Sequence, residues 1–216
     1  MSTGGEPLSE CIGADGGRFP LLEPAQLSAT QQALHTAIAG PPRDQGPFLI
    51  ADDEGRLAGP FNALLYAPEI GHAVQALGAA LRFGGALPAR TRELVICLIA
   101  AKADSAYEWY AHSRVAAEAG ISADELAELQ SGRVPATLDP AEDTAVRFAA
   151  RLVDSTTMPA ELHAETREHF GHSGVTELSV LVGYYRLLAG LLAAGNVPAP
   201  TDHHHTTITT NEGENP

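Results

Sequence analysis

Apolar residues recur along most of the chain with the three- and four-residue spacing of amphipathic helices, and strand-like alternation is scarce. Helix start signals (Ser, Asp or Pro) and stop signals (mainly Gly) divide this pattern into separate elements. The predicted helices run over residues 29–39, 68–84, 88–103, 105–119, 122–130, 140–153, 159–170 and 173–194. The pattern therefore predicts an all-α fold.

Two of these segments are more apolar than a surface helix. The residues from Leu94 to Ala101 are apolar on every face, which predicts a helix at the centre of the core. The stretch from Leu178 to Ala194 carries Arg186 in its middle and is shorter than the roughly 20 apolar residues of a membrane span. We interpret it as a buried helix and expect no membrane partner.

The length of 216 residues fits one domain with its own core. Residues 1–19 and 201–216 are rich in Gly and polar residues without a period, so we predict a flexible N-terminal segment and a disordered tail around a helical domain over residues 20–200. The tail contains His203–His205, which have no carboxylate or thiol at ligand spacing. We therefore assign no metal to them.

Charge narrows the range of partners. The net charge of -14 comes from 27 acidic against 13 basic residues and leaves no basic stripe for nucleic acid or an anionic membrane. A small-molecule ligand remains compatible with this charge. The first residues, MSTGGEPLSE, have neither the basic nor the apolar region of a signal peptide, so we expect a cytoplasmic protein.

The two cysteines, Cys11 and Cys97, form neither a disulfide framework nor a CxxC motif. Cys97 lies in the apolar run LVICLIAA. Apolar burial raises the pKa of a thiol and suppresses the reactive thiolate, so we predict an inert core residue.

Candidate chemistry is concentrated in SAYEWYAH, residues 105–112. At about 100° per residue, Ser105, Glu108 and His112 share one helix face, and Trp109 lies at its edge. A His that titrates near neutrality, a Glu within reach and a Trp that excludes water suit proton transfer. This face is a candidate acid-base site.

The same spacing fits two other interpretations. Ser105 and Glu108 have the spacing of a capping box, and Glu108 with His112 is an ordinary i, i+4 helix pair. Glu and His one turn apart can also ligate a metal, but no further His or Cys stands at fitting spacing. We therefore predict no metal at this site.

Glu93 is a second candidate, at the start of the most apolar helix. A buried carboxylate there needs a partner, which favours a functional role. A solvated first-turn Glu beside Arg90 and Arg92 fits the same spacing.

The run LPARTRELVICLIAAKADSAYEWYAHSRVAAEAGIS, residues 87–122, resembles the carboxymuconolactone decarboxylase family, which includes the alkyl hydroperoxide reductase D type of peroxidase partner. GRFPLLEPAQLSATQQAL resembles its N-terminal arm, GPFNALLYAPEIG its entry to the second helix, and ELSVLVGYYRLLAGLLAAGNVPAP its closing helix. The resemblance covers roughly residues 17–200. It implies an alkyl hydroperoxide reductase D-like bundle of about seven to eight helices that assembles into a homo-oligomer, a trimer or a hexamer.

The peroxidase type carries a Glu, a CxxC and a His on paired core helices. Its Glu matches Glu93 and its His matches His112, whereas Ser105 and Glu108 occupy the two cysteine positions. Because neither a hydroxyl nor a carboxylate performs disulfide exchange, we expect no thiol peroxidase activity. The chain is more similar to the EW-x-x-H branch of the family.

That branch implies a cofactor-free lyase or isomerase acting on a small cyclic keto acid, lactone or polyketide-derived compound, in aromatic catabolism or secondary metabolism. In this role His112 is the acid or base, Glu108 orients it or carries a second proton, and Glu93 supports it from the adjacent helix. Loss of carbon dioxide leaves a carbanion that such a site must stabilise and protonate.

The remaining site predictions concern the pocket. Trp109 and Tyr107 are expected to shape it beside Ser105, and Arg186 is a candidate for a substrate carboxylate. Arg114 is a second such candidate, although it lies about 160° from His112 by helical phase. The alternative function is a non-catalytic, ligand-binding oligomer with the family fold.

Overall fold

The computed structural model describes residues 16–200. Within this range the chain forms eight α-helices and no strand, which confirms the predicted all-α class; an isolated antiparallel bridge joins Ala51 and Leu57. The helices are α1 (Ala29–Ala39), α2 (Gly59–Leu65), α3 (Pro68–Ala79), α4 (Ala89–Lys102), α5 (Ala106–Glu118), α6 (Ala123–Gln130), α7 (Pro140–Asp154) and α8 (Ala160–Gly195). A π-helical turn, Ala80–Gly84, follows α3. Cys11, most of the predicted N-terminal segment and the whole predicted tail with His203–His205 lie outside the described residues.

Capping boxes start three of the helices. Ser28, Ser122 and Asp139 each accept a hydrogen bond from the backbone N–H three residues on, where the side chain of Gln31, Glu125 or Glu142 accepts one from the cap residue. These paired bonds satisfy backbone donors that the helix itself leaves free. Local sequence therefore sets where α1, α6 and α7 begin.

Helix α4 is the centre of the bundle and contacts α5, α6, α7 and α8. Its residues from Leu94 to Ala100 are all at most 1% exposed. This confirms the central position predicted from an apolar run without a polar face.

A second, smaller cluster packs on the other side of α5. It contains Leu34 and Ile38 of α1, Phe61 of α2, and Phe48 from the connection between these helices. The connection thus covers a face of α5 that the central bundle leaves open, and the candidate site lies beneath it.

Helix α8 is two helical segments joined at Gly171, whose φ of 68° and ψ of -177° break the helix. The predicted boundary between residues 159–170 and 173–194 lies at this break. By length and composition the helix could cross a membrane, because one 18-residue window of it has a mean hydropathy of 1.5. Leu178, Leu181 and Tyr185 nevertheless pack inside the core, as the prediction of a buried helix requires.

Candidate active site

A buried pair, Glu93 and His112, joins the two helices that carry the predicted site. Glu93 lies near the start of α4 and His112 in the middle of α5, and the two helices pack against each other. His112 Nδ1 lies 2.8 Å from Glu93 Oε2, and Arg92 Nε lies 3.4 Å from Oε1 of the same carboxyl group. Glu93 is 0% exposed and His112 6%. Glu93 is therefore a buried, paired carboxylate, and the interpretation as a solvated first-turn residue is wrong.

Electrostatics fix the protonation of this pair. Burial alone would raise the pKa of the Glu93 carboxyl, but the charge and hydrogen bond of His112, with the charges of Arg82 and Arg92, hold that pKa below its ordinary value. Because an ionised carboxylate only accepts hydrogen bonds, Nδ1 of His112 carries the hydrogen and donates it to Glu93. Tyr185 holds the imidazole from its edge, with ring centroids 4.9 Å apart. Nε2 is then the ring nitrogen left for a ligand.

Glu108 lines the same cavity as His112, one helical turn earlier on α5. Its side chain is 2% exposed, and both carboxyl oxygens are buried without a hydrogen-bond partner in the described part of the chain. Burial raises the pKa of this carboxyl to about 8. Glu108 is therefore mainly a neutral carboxylic acid at pH 7, and Glu93 rather than Glu108 orients His112.

The capping-box interpretation of α5 is wrong. Ser105 is the cap residue, but its side chain makes no capping hydrogen bond, and its Oγ is buried without a partner in residues 16–200. The preceding residue, Asp104, has a φ of 49°, an uncommon conformation for a residue other than Gly. The start of α5 is thus built without the bonds that begin α1, α6 and α7.

The cavity lies between α5, α8, α2 and the connection that precedes α2. Its lining residues are Arg43, Phe48, Pro60, Phe61, Arg82, Tyr107, Glu108, Ala111, His112, Tyr184, Tyr185 and Leu188. About 390 Å³ lies between these atoms when the opening to solvent is included, and about 30 Å³ of it has room for the centres of water molecules. This space holds a water or two, so a substrate requires the lining side chains to move apart.

Tyr107 lines the cavity and is 3% exposed. Burial raises the pKa of its phenol well above the ordinary value, and its hydroxyl has no hydrogen-bond partner in the described residues. The ring lies directly against the backbone of Gly59, where a Cβ atom would overlap it. Gly59 therefore makes room for the Tyr107 ring at the cavity wall.

The structure does not bring the other predicted pocket residues to this cavity. Trp109 and Ser105 line a separate open groove on another face of α5, together with Arg114; it encloses about 870 Å³ on the measure that gives about 390 Å³ for the cavity. Arg186 is exposed, and its Nη1 lies 3.4 Å from the carbonyl oxygen of Leu152. Trp109 lies one residue beyond Glu108, so the helix turns it about 100° away from the cavity. The predicted single stripe is thus divided between two faces.

Four polar residues of the cavity were not predicted from the sequence: Arg43, Arg82, Tyr184 and Tyr185. Arg43 lies in the connection after α1 and Arg82 in the π-helical turn after α3, and both positions are ordinary for a basic residue. The adjacent tyrosines of α8 belong to an apolar run typical of a core helix. Only the two Tyr hydroxyls could have indicated a polar site from the sequence. A buried hydroxyl usually needs a hydrogen-bond partner, and these two occur in an apolar core segment.

The described cysteine does not line the cavity. Cys97 is completely buried, and burial raises the pKa of its thiol well above the ordinary value. The thiol is therefore protonated and shielded at neutral pH, as expected for an inert core residue. Within residues 16–200 no group of three or more His, Cys, Asp or Glu side chains is placed to hold a metal ion.

Several solved structures share this fold. An uncharacterised peroxidase-related protein from Ralstonia eutropha JMP134, described as an alkylhydroperoxidase AhpD core, matches with a TM-score of 0.70 and 17% identity over 87% of this chain and 93% of its own. One from Silicibacter sp. TM1040 matches with a TM-score of 0.68 and 14% identity, over 89% and 96%. A cysteine-to-alanine variant of the debrominase Bmp8, in complex with 2,3,4-tribromopyrrole, has a TM-score of 0.63 and 13% identity, over 84% and 90%.

Sequence comparison adds a match to a known family over part of the chain. No curated protein matches the chain significantly. Residues 68–151, which span α3 to most of α7 and include Glu93, Glu108 and His112, match the carboxymuconolactone decarboxylase family model. Over these residues the chain is similar to the carboxymuconolactone decarboxylase family, and its fold is the alkyl hydroperoxide reductase D-like helical bundle.

Proposed function

We propose that this protein is a cofactor-free lyase or isomerase that performs acid-base chemistry on a small cyclic keto acid, lactone or polyketide-derived compound. The observation that carries the proposal is the buried arrangement of an ionised Glu93, an oriented His112 and a neutral Glu108 around one cavity. Two carboxyl groups whose pKa values are moved in opposite directions are typical of sites that separate acid and base roles.

His112 is the proton-transfer group in this proposal. The bond from Nδ1–H to Glu93 selects one tautomer and one ring orientation, so Nε2 is available toward the cavity. In a decarboxylation the bond to the carboxyl carbon breaks, its electron pair stays on the substrate as an enolate, and carbon dioxide leaves. Nε2 of His112, after taking a proton from water, then delivers that proton to the carbon. In an isomerisation it removes a proton from one carbon and returns it to another.

Glu108 has the complementary role. A carboxylic acid kept neutral by an apolar site can donate a hydrogen bond to an oxygen that becomes negative in the transition state. Its oxygens have no partner in the described residues, so they are free to bond a ligand rather than the protein. Glu108 therefore stabilises the enolate oxygen while His112 handles the proton on carbon.

Thiol peroxidase chemistry does not fit these residues. The positions that match the CxxC of the peroxidase type hold Ser105 and Glu108, and Cys97 is a buried thiol that does not line the cavity. The debrominase that shares the fold is bound to 2,3,4-tribromopyrrole, a small ring, and a small cyclic ligand for this chain is compatible with that.

The test is a turnover assay with carboxymuconolactone and related cyclic keto acids and lactones, following carbon dioxide release and entry of solvent deuterium into the product. We expect His112→Gln to lower kcat by about 10²- to 10⁴-fold. Glu93→Gln should lower kcat with little effect on KM, because Glu93 acts through His112. His163→Gln, an exposed histidine on α8, is the matched control.

Two outcomes would reject the proposal. One is full turnover by His112→Gln. The other is tight binding of panel compounds without carbon dioxide release, deuterium entry or any other conversion, which would favour the non-catalytic, ligand-binding alternative.

A further inference from the structure

Two arginines face the cavity without a carboxylate partner in the part of the chain that the structure describes. Arg43 is 5% exposed and Arg82 is half-buried, and both side chains line the cavity with His112. In residues 16–200, no carboxylate oxygen lies within 4.0 Å of either guanidinium group, and neither group donates a hydrogen bond. Other arginines of the bundle, such as Arg90 and Arg147, each bind two carboxylates.

A buried cation without an anion is costly, and the protein compensates for only part of this cost. The Arg43 guanidinium lies over the ring of Phe61, 5.2 Å from the centroid, which is a cation-π contact. Burial lowers the pKa of Arg43 despite the opposing effect of Tyr184, and the positive charge of Arg82 lowers it further. The two arginines therefore repel each other, and no carboxylate of residues 16–200 pairs with either of them.

The nearest acids of the site are already used. Arg82 is close enough to lower the pKa of Glu93, but that carboxylate binds His112 and Arg92. Glu108 is neutral at pH 7, because burial raises its carboxyl pKa to about 8. Thus residues 16–200 supply no free anion at this end of the cavity, and a ligand can supply the negative charge.

We propose that Arg43 and Arg82 form an anion-binding site at the cavity and that its ligand is a small carboxylate with a planar, unsaturated or aromatic body. This inference rests on the proposed function in one respect: it identifies the carboxylate of the ligand with a carboxylate of the substrate. Guanidinium groups match a carboxylate because each presents parallel N–H donors to two oxygens.

The walls of the cavity indicate the body of this ligand. Phe48, Phe61, Tyr184 and Tyr185 surround the space, and Arg82 itself lies over the Phe48 ring at 5.7 Å. Aromatic walls favour a flat ring or a conjugated chain, which packs on their faces and edges. With its carboxylate on the arginines, such a ligand reaches toward His112 and Glu108.

This placement restricts the reaction. A carboxylate held by two arginines is stabilised as an anion, and its loss as carbon dioxide would remove the charge that they bind. Interactions that favour the ground state in this way slow the chemical step. The carboxylate on Arg43 and Arg82 is therefore retained in the product, and a decarboxylation at this site acts on a second carboxyl group.

The test measures binding directly, by isothermal titration calorimetry and ligand-observed NMR, with benzoate and its neutral isostere benzamide. We expect benzoate to bind at least tenfold more tightly than benzamide. Arg43→Gln and Arg82→Gln should each weaken benzoate at least tenfold and leave benzamide unchanged. Arg133→Gln, at an exposed loop position, is the matched control.

Melting measurements distinguish a loss of binding from a loss of folding in these variants. Because Arg43 is an unpaired buried charge, Arg43→Gln should melt no lower than the wild type; if it fails to fold, the half-buried Arg82 still provides the test. Equal binding of benzoate and benzamide, or unchanged benzoate affinity in Arg82→Gln, overturns the inference.

The same experiment separates this inference from the proposed chemistry. Selective benzoate binding that survives in His112→Gln supports the anion site even if no substrate is ever turned over. Turnover that depends on His112 but is equal for acids and their methyl esters, and unaffected by Arg43→Gln and Arg82→Gln, overturns the anion site and leaves the acid-base proposal standing.

Discussion

His112 Nδ1 and Glu93 Oε2 are 2.8 Å apart, and the two residues lie 19 positions apart in sequence on neighbouring helices. The bond ties α4 to α5 inside the core and also sets the imidazole tautomer. One contact therefore has both a structural and a chemical consequence.

A double-mutant cycle on Glu93 and His112 measures the structural contribution of this bond separately from its chemical role. Glu93→Gln and His112→Gln should each lower the free energy of unfolding by about 1–3 kcal/mol, because each leaves a buried partner poorly satisfied. The double variant should lose clearly less than the sum, with a coupling on the order of 1 kcal/mol, measured by urea denaturation. Simple additivity would mean that the bond contributes nothing to folding.

The pH dependence of this pair has a definite sign. The folded pKa of Glu93 is below its ordinary 4.5, so its stabilising effect is complete above pH 4.5 and is lost as the pH falls through the folded value. The stability difference between wild type and Glu93→Gln should therefore shrink in acid. Glu118→Gln, at an exposed position on α5, is the matched control.

Glu108 should have the opposite effect on stability. Its pKa rises from 4.5 unfolded to about 8 folded, so ionisation favours the unfolded chain. Stability is unaffected below pH 4.5 and falls by roughly 1.4 kcal/mol per pH unit between these two values. Glu108→Gln should thus melt higher than the wild type at pH 8 and close to it at pH 4.5. A gap that is equal at both pH values would contradict the neutral, unpartnered carboxyl.

The helices were predictable because their signals are local. Capping residues, Gly stops and apolar periodicity lie within one turn of the boundaries that they set, and the break at Gly171 was visible as a gap between two predicted helices. The roles of Glu93 and Glu108 were not predictable, because a helix cap and a catalytic site can have the same spacing of residues. Only the packing of α4 against α5 shows which bonds form.

The two arginines of the cavity were beyond sequence reasoning for another reason. Arg43 and Arg82 come from a long connection and from a π-helical turn, and their meeting depends on how the connection folds over α5. Trp109 is the opposite case, a residue predicted for the cavity that lies elsewhere. It is a conspicuous residue at the edge of the predicted face, and a rotation of one residue sends it to the other groove.

Gly59 should tolerate no side chain. Its φ is +58°, and a Cβ atom there would overlap the ring of Tyr107. Gly59→Ala should cost about 2–4 kcal/mol, from backbone strain plus overpacking. Gly132→Ala, with φ of +78° and open space around it, should show only the strain, about 1 kcal/mol. In a Tyr107→Ala background the two glycine substitutions should become similar; if Gly59→Ala stays far more costly there, the ring is not the obstacle.

Arg90 should be the most sensitive ion-pair residue of the bundle. From α4 it binds Glu125 at 2.6 Å and Glu142 at 2.8 Å, the carboxylates that complete the capping boxes of α6 and α7. Arg90→Gln leaves two largely buried carboxylates without their cation and should cost about 2–4 kcal/mol in urea denaturation. Burial opposes the effect, but the bonds from Arg90, Ser122 and Thr137 lower the pKa of Glu125 to about 2. The stabilisation is therefore complete above pH 4.5 and is lost as the pH falls toward 2, so the gap between wild type and Arg90→Gln should close over that range. A loss no larger than that of the exposed Arg133→Gln would show that the helices hold together without this residue.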